Sequence, residues 1–123
     1  MKKLLTGMLL LGSLFLSLAA AANGISLLSC WYPWDYDTDV HQWNDNEWVW
    51  AGVRGQVEIC DGEFQRILTN TVRHTAYWKG VNVDPSRDVI RRAYPEYAVT
   101  QIHYRRINGD DGYATAYIPN FYR

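Results

Sequence analysis

Two histidines, a glutamate and two arginines are the residues of this chain best suited to acid–base chemistry. They are Glu58, Arg73, His74, His103 and Arg105. A carboxylate or an imidazole can act as general base, the second imidazole as general acid, and guanidinium groups can clamp a phosphate. If the segments that carry them pair in one sheet, the five side chains approach one another as a metal-free ribonuclease would require. They are common residues in no special order, and we therefore predict no catalytic site.

No established catalytic motif accompanies these residues. The chain has no Gly-x-Ser-x-Gly elbow, no glycine-rich phosphate loop and no His-Glu-x-x-His segment. His41, His74 and His103 do not have the spacing of zinc ligands. We predict no cofactor and favour a protein that is not an enzyme.

Three aspartates at alternate positions, Asp35, Asp37 and Asp39, resemble the start of a calcium loop. The glycine and glutamate that an EF-hand needs at its sixth and twelfth positions are replaced by other residues. A different calcium loop, closed by Asp45 or Glu47, is the alternative to a solvated acidic turn. We favour the turn and predict no metal site.

The segment 31–50 contains five tryptophans, two tyrosines and five acidic residues, but no lysine or arginine. Flat rings with polar edges suit stacking on sugar faces, and nearby carboxylates can accept hydrogen bonds from hydroxyl groups. The alternative is that the rings fill the core of a small domain. The predicted binding residues are Trp31, Trp34, Trp43, Trp48 and Trp50.

The acidic charge of this segment has two explanations. Nine of the ten bases from residue 51 onward are arginines. We favour an acidic segment that lies against an arginine-bearing sheet over an acidic docking surface.

The two cysteines, Cys30 and Cys60, are predicted to form a disulfide, as pairs outside the cytoplasm usually do. The alternative comes from residues 27–30, which resemble a bacterial lipobox. In that case Cys30 is acylated and anchors the protein to a membrane.

The first 22 residues have the order of a secretory signal peptide. Lys2 and Lys3 precede an apolar stretch over 4–18, and small residues follow up to Ala22. We predict cleavage after Ala22 and a single exported domain, 23–123, with no membrane span. An uncleaved anchor is the alternative, since the stretch is just long enough to cross a bilayer. Cleavage leaves ten Lys and Arg against 13 Asp and Glu, a net charge of −3, which makes nucleic acid an unfavourable partner.

The first element expected to position these residues is the segment 31–50. Its apolar residues follow no clear period, which predicts irregular or short-strand structure. Residues 47–60 are rich in β-formers, with a bulge or bend at Gly52 and Gly55. An Asp-Gly pair at 61–62 predicts a tight hairpin turn.

The second half of the chain is predicted to mix strands with one helix. Residues 63–83 fit either type of element, and the preceding turn favours a strand. Asp84 as N-cap, Pro85 at the first helical position and Pro95 as terminator predict a helix over about 84–94. A last hairpin, with strands at 97–107 and 113–118, follows. The predicted fold class is α+β: a small antiparallel sheet of two hairpins with one packed helix.

These inferences give one leading hypothesis and two alternatives. The leading one is a small exported domain, periplasmic, secreted or at the envelope, that binds a protein or a glycan through segment 31–50 and the adjacent sheet face. The second is a small secreted hydrolase or nuclease-type toxin that uses His74 and His103 with Glu58 and the arginines. The third is an envelope lipoprotein acylated at Cys30.

Overall fold

Side chains point alternately inward and outward along most of the described chain, as they do in β-strands. The structure is a computed structural model that describes residues 28–121. It consists almost entirely of β-strands. The unit Trp31–Arg123 holds the fold described below; of the preceding unit, Met1–Cys30, only 28–30 are described. The strands within the described residues are β1 (Cys30–Trp31), β2 (Trp34–Asn44), β3 (Glu47–Cys60), β4 (Glu63–Ile67), β5 (Arg73–Lys79), β6 (Val81–Asn82), β7 (Val89–Ala93), β8 (Ala98–Arg106) and β9 (Asp111–Ile118).

Two antiparallel sheets make up the fold. In the first sheet the long strand β3 pairs with β2 and β5 over its first part and with β4 near its end, and β1 completes the sheet. In the second sheet β8 pairs with β9 on one side and with β6 and β7 on the other. An apolar core that draws residues from both sheets lies between them in the described part of the chain.

The core is built by small and β-branched residues on the inward faces of the two central strands and their neighbours. Val49, Ala51 and Val53 of β3 are buried, and Ile102 of β8 and Ile118 of β9 are fully buried. Alanines at several inward positions of β8 and β9 leave little side-chain volume, which allows close packing of two pleated surfaces.

The predicted α+β class with a helix over 84–94 is wrong. The described residues contain no α-helix and one short 3-10 turn, Thr69–Thr71. The single sheet with a helix packed on it is replaced by two sheets packed on each other.

The helix fails because its start signals support only one turn. The Asp84 side chain accepts hydrogen bonds from the backbone N–H and the hydroxyl of Ser86, at 3.0 and 2.6 Å, as a cap would. Strand β7 then starts at Val89, which pairs with Ile102 of β8. Val89 and Ile90 are β-branched and favour extended backbone, and pairing on β8 buries Val89. Tertiary pairing outweighs the capping signals.

Other parts of the prediction are confirmed. Asp61 and Gly62 turn between β3 and β4 with φ angles of 52° and 81°, as a two-residue hairpin turn requires. The strand preference for 63–83 is confirmed by β4 and β5, and the last hairpin by β8 and β9.

The expected bulge at the β3 glycines is wrong, since Gly52 and Gly55 lie in regular register with β2. Their role is close approach. A Cβ on Gly55 would lie 3.0 Å from Cγ2 of Val72 and 3.4 Å from Cδ1 of Ile118. The absence of a side chain therefore lets neighbouring core residues pack directly on the strand.

The irregular structure expected for 31–50 is also wrong, because Trp34–Asn44 is one strand of 11 residues. Its side chains alternate strictly between the two faces of the sheet, but acidic residues take the inward positions that apolar residues usually occupy. Asp35, Asp37 and Asp39 point inward, whereas Trp34 and Tyr36 point outward and are exposed.

Cys30 and Cys60 are joined by a disulfide, as predicted. A cysteine sulfur in a disulfide cannot also carry the thioether of a lipid anchor, so the bonded and acylated states exclude one another. The predicted signal segment, 1–22, lies outside the described residues. Within residues 28–121 no helix is long and apolar enough to cross a membrane.

Candidate functional site

The outward surface of β2, β3 and β5 carries most of the exposed rings of the first sheet. Directly paired residues on neighbouring strands point to the same side, so the register arranges these side chains in rows. One row is Val40, Trp50 and Tyr77, and another is Tyr36, Arg54 and Arg73. We call this surface the aromatic face. Its main side chains are Trp34, Tyr36, Trp48, Trp50, Arg54, Arg73, Tyr77 and Lys79.

A cleft of about 360 Å³ opens in the aromatic face between Trp34 and Trp50. Trp34 is 53% exposed, Trp50 42% and Tyr36 69%, so ring surface is available to a ligand on both sides of the cleft. Arg54 and Arg73 also line the cleft. We call it the first cleft.

Gly52 forms the floor of the first cleft. A Cβ at this position would lie 3.2 Å from Cβ of Thr75 and 3.4 Å from Nε1 of Trp50. A side chain here would therefore crowd Thr75 and the Trp50 indole and take up space at the base of the cleft. From the inner side, the hydroxyl of Thr100 donates a hydrogen bond to the Gly52 carbonyl at 2.7 Å.

A second cleft, of about 280 Å³, lies on the other side of Trp50. It is lined by Val40, Gln42, Trp48 and Trp50. The Trp50 indole therefore borders both clefts, which lie end to end along β2.

The two arginines of the first cleft are held in place. The Arg54 guanidinium carbon lies 5.4 Å from the centre of a Trp34 ring, within cation–π distance. Nη1 of Arg73 donates to the carbonyl oxygens of Val72, at 2.9 Å, and Asn70, at 3.3 Å. Both guanidinium groups retain N–H donors for an incoming acceptor.

The five predicted tryptophans are divided among different surroundings. Trp34, Trp48 and Trp50 lie on the aromatic face. Trp31 is 60% exposed but lines neither cleft. Trp43 points inward, with its ring centre 5.2 Å from that of Tyr104 and the Arg106 guanidinium carbon 4.5 Å away.

Sequence inference missed Tyr77, Arg54 and Arg73 as members of this surface, and it considered Tyr36 only as one of the two tyrosines of segment 31–50, not as a predicted binding residue. The signal that could have found them is strict alternation: with Trp34 and Trp50 outward, Tyr36 and Arg54 must be outward too. Tyr77 and Arg73 required the pairing of β5 with β3, which no local pattern reveals.

The acidic residues of β2 take a role that was not predicted. The carboxylates of Asp35, Asp37 and Asp39 accept hydrogen bonds from the backbone N–H groups of Asn120, Tyr117 and Thr115. The distances are 2.6, 2.8 and 2.8 Å in that order. Asp35 and Asp37 also line the first cleft, but their carboxylates are engaged on the β9 side. They are neither a calcium loop nor a solvated turn.

A further polar group adjoins this row of aspartates. His41 has Nε2 3.1 Å from both oxygens of Asp39 and Nδ1 3.0 Å from the hydroxyl of Tyr104. Tyr104 is buried, and its pKa is raised, first by burial and then by the negative charge of Asp39. A phenol that holds its proton more tightly is a hydrogen-bonding group of the core and not an acid catalyst near neutral pH.

The acid–base candidates are not brought together. Glu58 pairs with Arg66 of β4 at 3.5 Å. His74 points inward, where its Nδ1 lies 2.8 Å from Oγ1 of Thr100.

His103 and Arg105 lie on the outward side of β8. Nδ1 of His103 is 3.8 Å from Oδ1 of Asp88, and Arg105 lines a cavity of about 330 Å³ that Asp88 also lines. Thr100, which contacts His74, points to the opposite side of the same strand. His74 and His103 thus lie on opposite faces of the second sheet and do not share a cleft.

Within residues 28–121 no group of three or more His, Cys, Asp or Glu side chains is placed to hold a metal ion. Comparisons with protein-family models, with curated proteins and with solved structures gave no match.

Proposed function

We propose that this chain is a small exported binding domain that holds a glycan on its aromatic face. The observation that carries the proposal is the pair of exposed indoles, Trp34 and Trp50, on either side of a cleft with Gly52 as its floor. Tryptophan is normally well buried in a small domain, and exposed apolar patches with polar borders mark interaction sites. An indole offers a flat apolar face for a sugar ring and an N–H donor at its edge.

The surroundings of the clefts favour a glycan over an extended protein segment. Strand β3 pairs with β2 on one side and β5 on the other along the whole aromatic face. Peptides that add a strand to a sheet need an unpaired edge for their backbone hydrogen bonds. A ligand on this face must instead be recognised by ring faces and side-chain donors.

Export is part of the proposal. The order of positive, apolar and small residues over 1–22 supports secretion, and the Cys30–Cys60 disulfide fits an oxidising compartment. The separate surroundings of His74, His103 and Glu58 make the hydrolase alternative less favourable. The disulfide makes acylation at Cys30 less favourable.

Binding to an array of polysaccharides, followed by titration calorimetry on the best ligand, tests the proposal. We expect Trp34→Ala and Trp50→Ala each to raise Kd by about thirtyfold, as for a central aromatic contact, with little change in Tm. Trp31→Ala is the matched control, since this ring is exposed but lines neither cleft. Equal losses in all three variants, or no glycan bound by the parent protein, would contradict the proposal.

The intact mass of the exported product, expected to begin at Asn23, tests export.

A further inference from the structure

The aromatic face carries positive charge with no carboxylate pointing outward beside it. Its rows run over 34–42, 48–56 and 73–79, and within them the outward charged side chains are Arg54, Arg73 and Lys79. Glu58 follows on the same side of β3, beyond the last row, where it pairs with Arg66. In the described part of the chain none of the three cations forms an ion pair.

This charge separation follows from the inverted alternation of β2. The strand holds three aspartates, and a shift of one residue would point all of them into the clefts. In the observed register their carboxylates accept hydrogen bonds from β9. A protein with a net negative formal charge thus presents a local cationic surface where its rings are exposed.

The clefts also indicate the shape of the ligand. Together they extend along β2 from Trp34 to Gln42. Eight steps of about 3.3 Å give a length on the order of 25 Å, which is several sugar units and not one. Trp50 lies between the clefts, where one indole can contact consecutive units of a chain.

We propose that the ligand is a linear anionic glycan, with carboxylate or sulfate groups, that lies along β2 across both clefts. The inference rests on the proposed function and names its ligand class. Arg54 and Arg73 receive the acidic groups in the first cleft, and Lys79 adds positive charge beside Trp48, with which it pairs in register. The rings of Trp34, Trp48 and Trp50 bind the sugar faces. The affinity of a protein for nucleic acid comes mainly from neutralisation of phosphates by many cationic side chains. Three cations on a protein of net negative charge therefore suit a polymer of moderate charge density better than a nucleic acid.

The test measures binding of the exported protein to polygalacturonate, hyaluronate and dextran sulfate, with unmodified dextran and xylan as neutral polymers. Single-stranded DNA and polyglutamate serve as anionic polymers of other classes. We expect binding to at least one acidic polysaccharide. Its affinity should fall as salt rises, because the charges are exposed, and should increase with oligosaccharide length until both clefts are filled.

Variants separate charge from stacking. Arg54→Gln and Arg73→Gln should each raise Kd for the acidic polysaccharide about tenfold, as loss of a charge-assisted hydrogen bond does. Arg92→Gln, an exposed arginine of β7 in the second sheet, is the matched control and should leave Kd unchanged.

The outcomes distinguish this inference from the function on which it rests. Equal or tighter binding of neutral polysaccharides, with Trp50→Ala still disruptive, overturns the anionic ligand and leaves a glycan-binding domain. Binding to DNA or polyglutamate tighter than to every polysaccharide, or no binding to any polysaccharide, overturns both.

Discussion

Gly52 is the residue on which the depth of the first cleft depends most directly. Its missing side chain leaves the space between Thr75 and the Trp50 indole, and its carbonyl is held from the core side by Thr100. We predict that Gly52→Ala weakens glycan binding at least about tenfold while the free energy of unfolding changes by less than about 1 kcal/mol. The added methyl must displace only the Trp50 and Thr75 side chains on an outward surface, a small perturbation to the fold. Titration calorimetry and urea denaturation measure the two quantities.

Gly55→Ala is the informative counterpart, because Gly55 is buried on the inward side of the same strand. Its Cβ would meet Val72 at 3.0 Å and Ile118 at 3.4 Å. Overpacking of this kind costs about 1–3 kcal/mol. The protein should lose stability, and the folded fraction should bind with unchanged affinity. A stability loss for Gly52→Ala as large as that for Gly55→Ala would contradict the assignment of Gly52 to a ligand cleft.

His74 links the two sheets beneath this floor and makes stability depend on pH. Since the Thr100 hydroxyl donates to Gly52, its oxygen accepts the Nδ1–H of His74 at 2.8 Å. Burial, and then the positive charge of Arg91, lower the pKa of His74 below its ordinary value of 6.5. The folded state therefore disfavours the imidazolium.

The sign of the effect follows from proton linkage. With the folded pKa below the unfolded one, the unfolded state binds more protons as pH falls through the region of 6.5. Stability contributed by neutral His74 is present above that region and is lost below it. We predict that His74→Asn, whose amide can keep the donor to Thr100, loses less stability between pH 7.5 and pH 5 than the parent does. Urea denaturation at several pH values measures this, and an unchanged pH dependence would contradict it.

Strand β2 uses side-chain oxygens in place of a neighbouring strand. Among the described strands β9 pairs only with β8, and an open edge leaves a row of N–H groups exposed to unwanted pairing. Alternate aspartates of β2 accept hydrogen bonds from three backbone N–H groups, two on β9 and one just after it. The same alternation that presents rings to solvent thus joins the two sheets at this border.

Asp35 is the most buried of the three aspartates, at 4% exposure. One carboxylate oxygen accepts from the N–H of Tyr36 at 2.9 Å and the other from that of Asn120 at 2.6 Å. We predict that Asp35→Ala lowers the free energy of unfolding by about 1–3 kcal/mol, the cost of removing a buried acceptor from two partly buried donors. Asp35→Asn should cost less, because its amide oxygen still serves one donor. Asp45→Ala, in the exposed turn after β2, is the control and should change stability by less than about 0.5 kcal/mol. Equal effects at 35 and 45 would contradict the proposed role.

The success of sequence inference varied from one element to another for identifiable reasons. β3, its turn at Asp61 and Gly62, and the final hairpin were predictable because their patterns are local. β2 was missed because hydrophobic periodicity assumes that apolar residues point inward, and here the inward positions are acidic. β7 was predicted as a helix because Asp84 gives the same capping signal in a single turn as it would at the start of a helix. The pairing of β7 with β8 depends on residues distant in sequence, which no local pattern shows.

For the candidate site, too, local features were predictable from the sequence and features that depend on long-range pairing were not. Trp34, Trp48 and Trp50 could be selected as candidate binding residues from composition alone, whereas the arrangement that groups them with Arg54, Arg73 and Gly52 depends on strand register. Trp31 and Trp43 have the same composition around them, and only the register separates them from the clefts. The alternative hypothesis of catalysis required its residues to approach one another on one shared sheet face, and the two-sheet fold distributes them over different faces.

At the scale of the whole molecule, several inward positions of the two sheets are alanines, so the core buries little apolar side-chain volume. The disulfide adds a covalent contribution to the stability of the fold. The loop counted from Cys30 to Cys60 contains 31 residues, and closing a loop of this length stabilises a folded chain by about 3.5 kcal/mol in the chain-entropy model. A small domain has about 5–15 kcal/mol in total. Cys30→Ser combined with Cys60→Ser should therefore remove a large part of the stability and lower Tm by more than about 10 °C.

The disulfide variant also separates stability from recognition. The first cleft is lined by residues of β2, β3 and β5 and the second by residues of β2 and β3, and neither cysteine lines either cleft. At a temperature where the double serine variant is still folded, its Kd for the glycan should match that of the parent protein. Denaturation of the parent in urea with and without a reducing agent should reproduce the stability difference, because reduction removes the same constraint from the unfolded chain. A double variant as stable as the parent would contradict the structural role of the bond, and a stable variant that fails to bind would place Cys30 or Cys60 within the recognition surface.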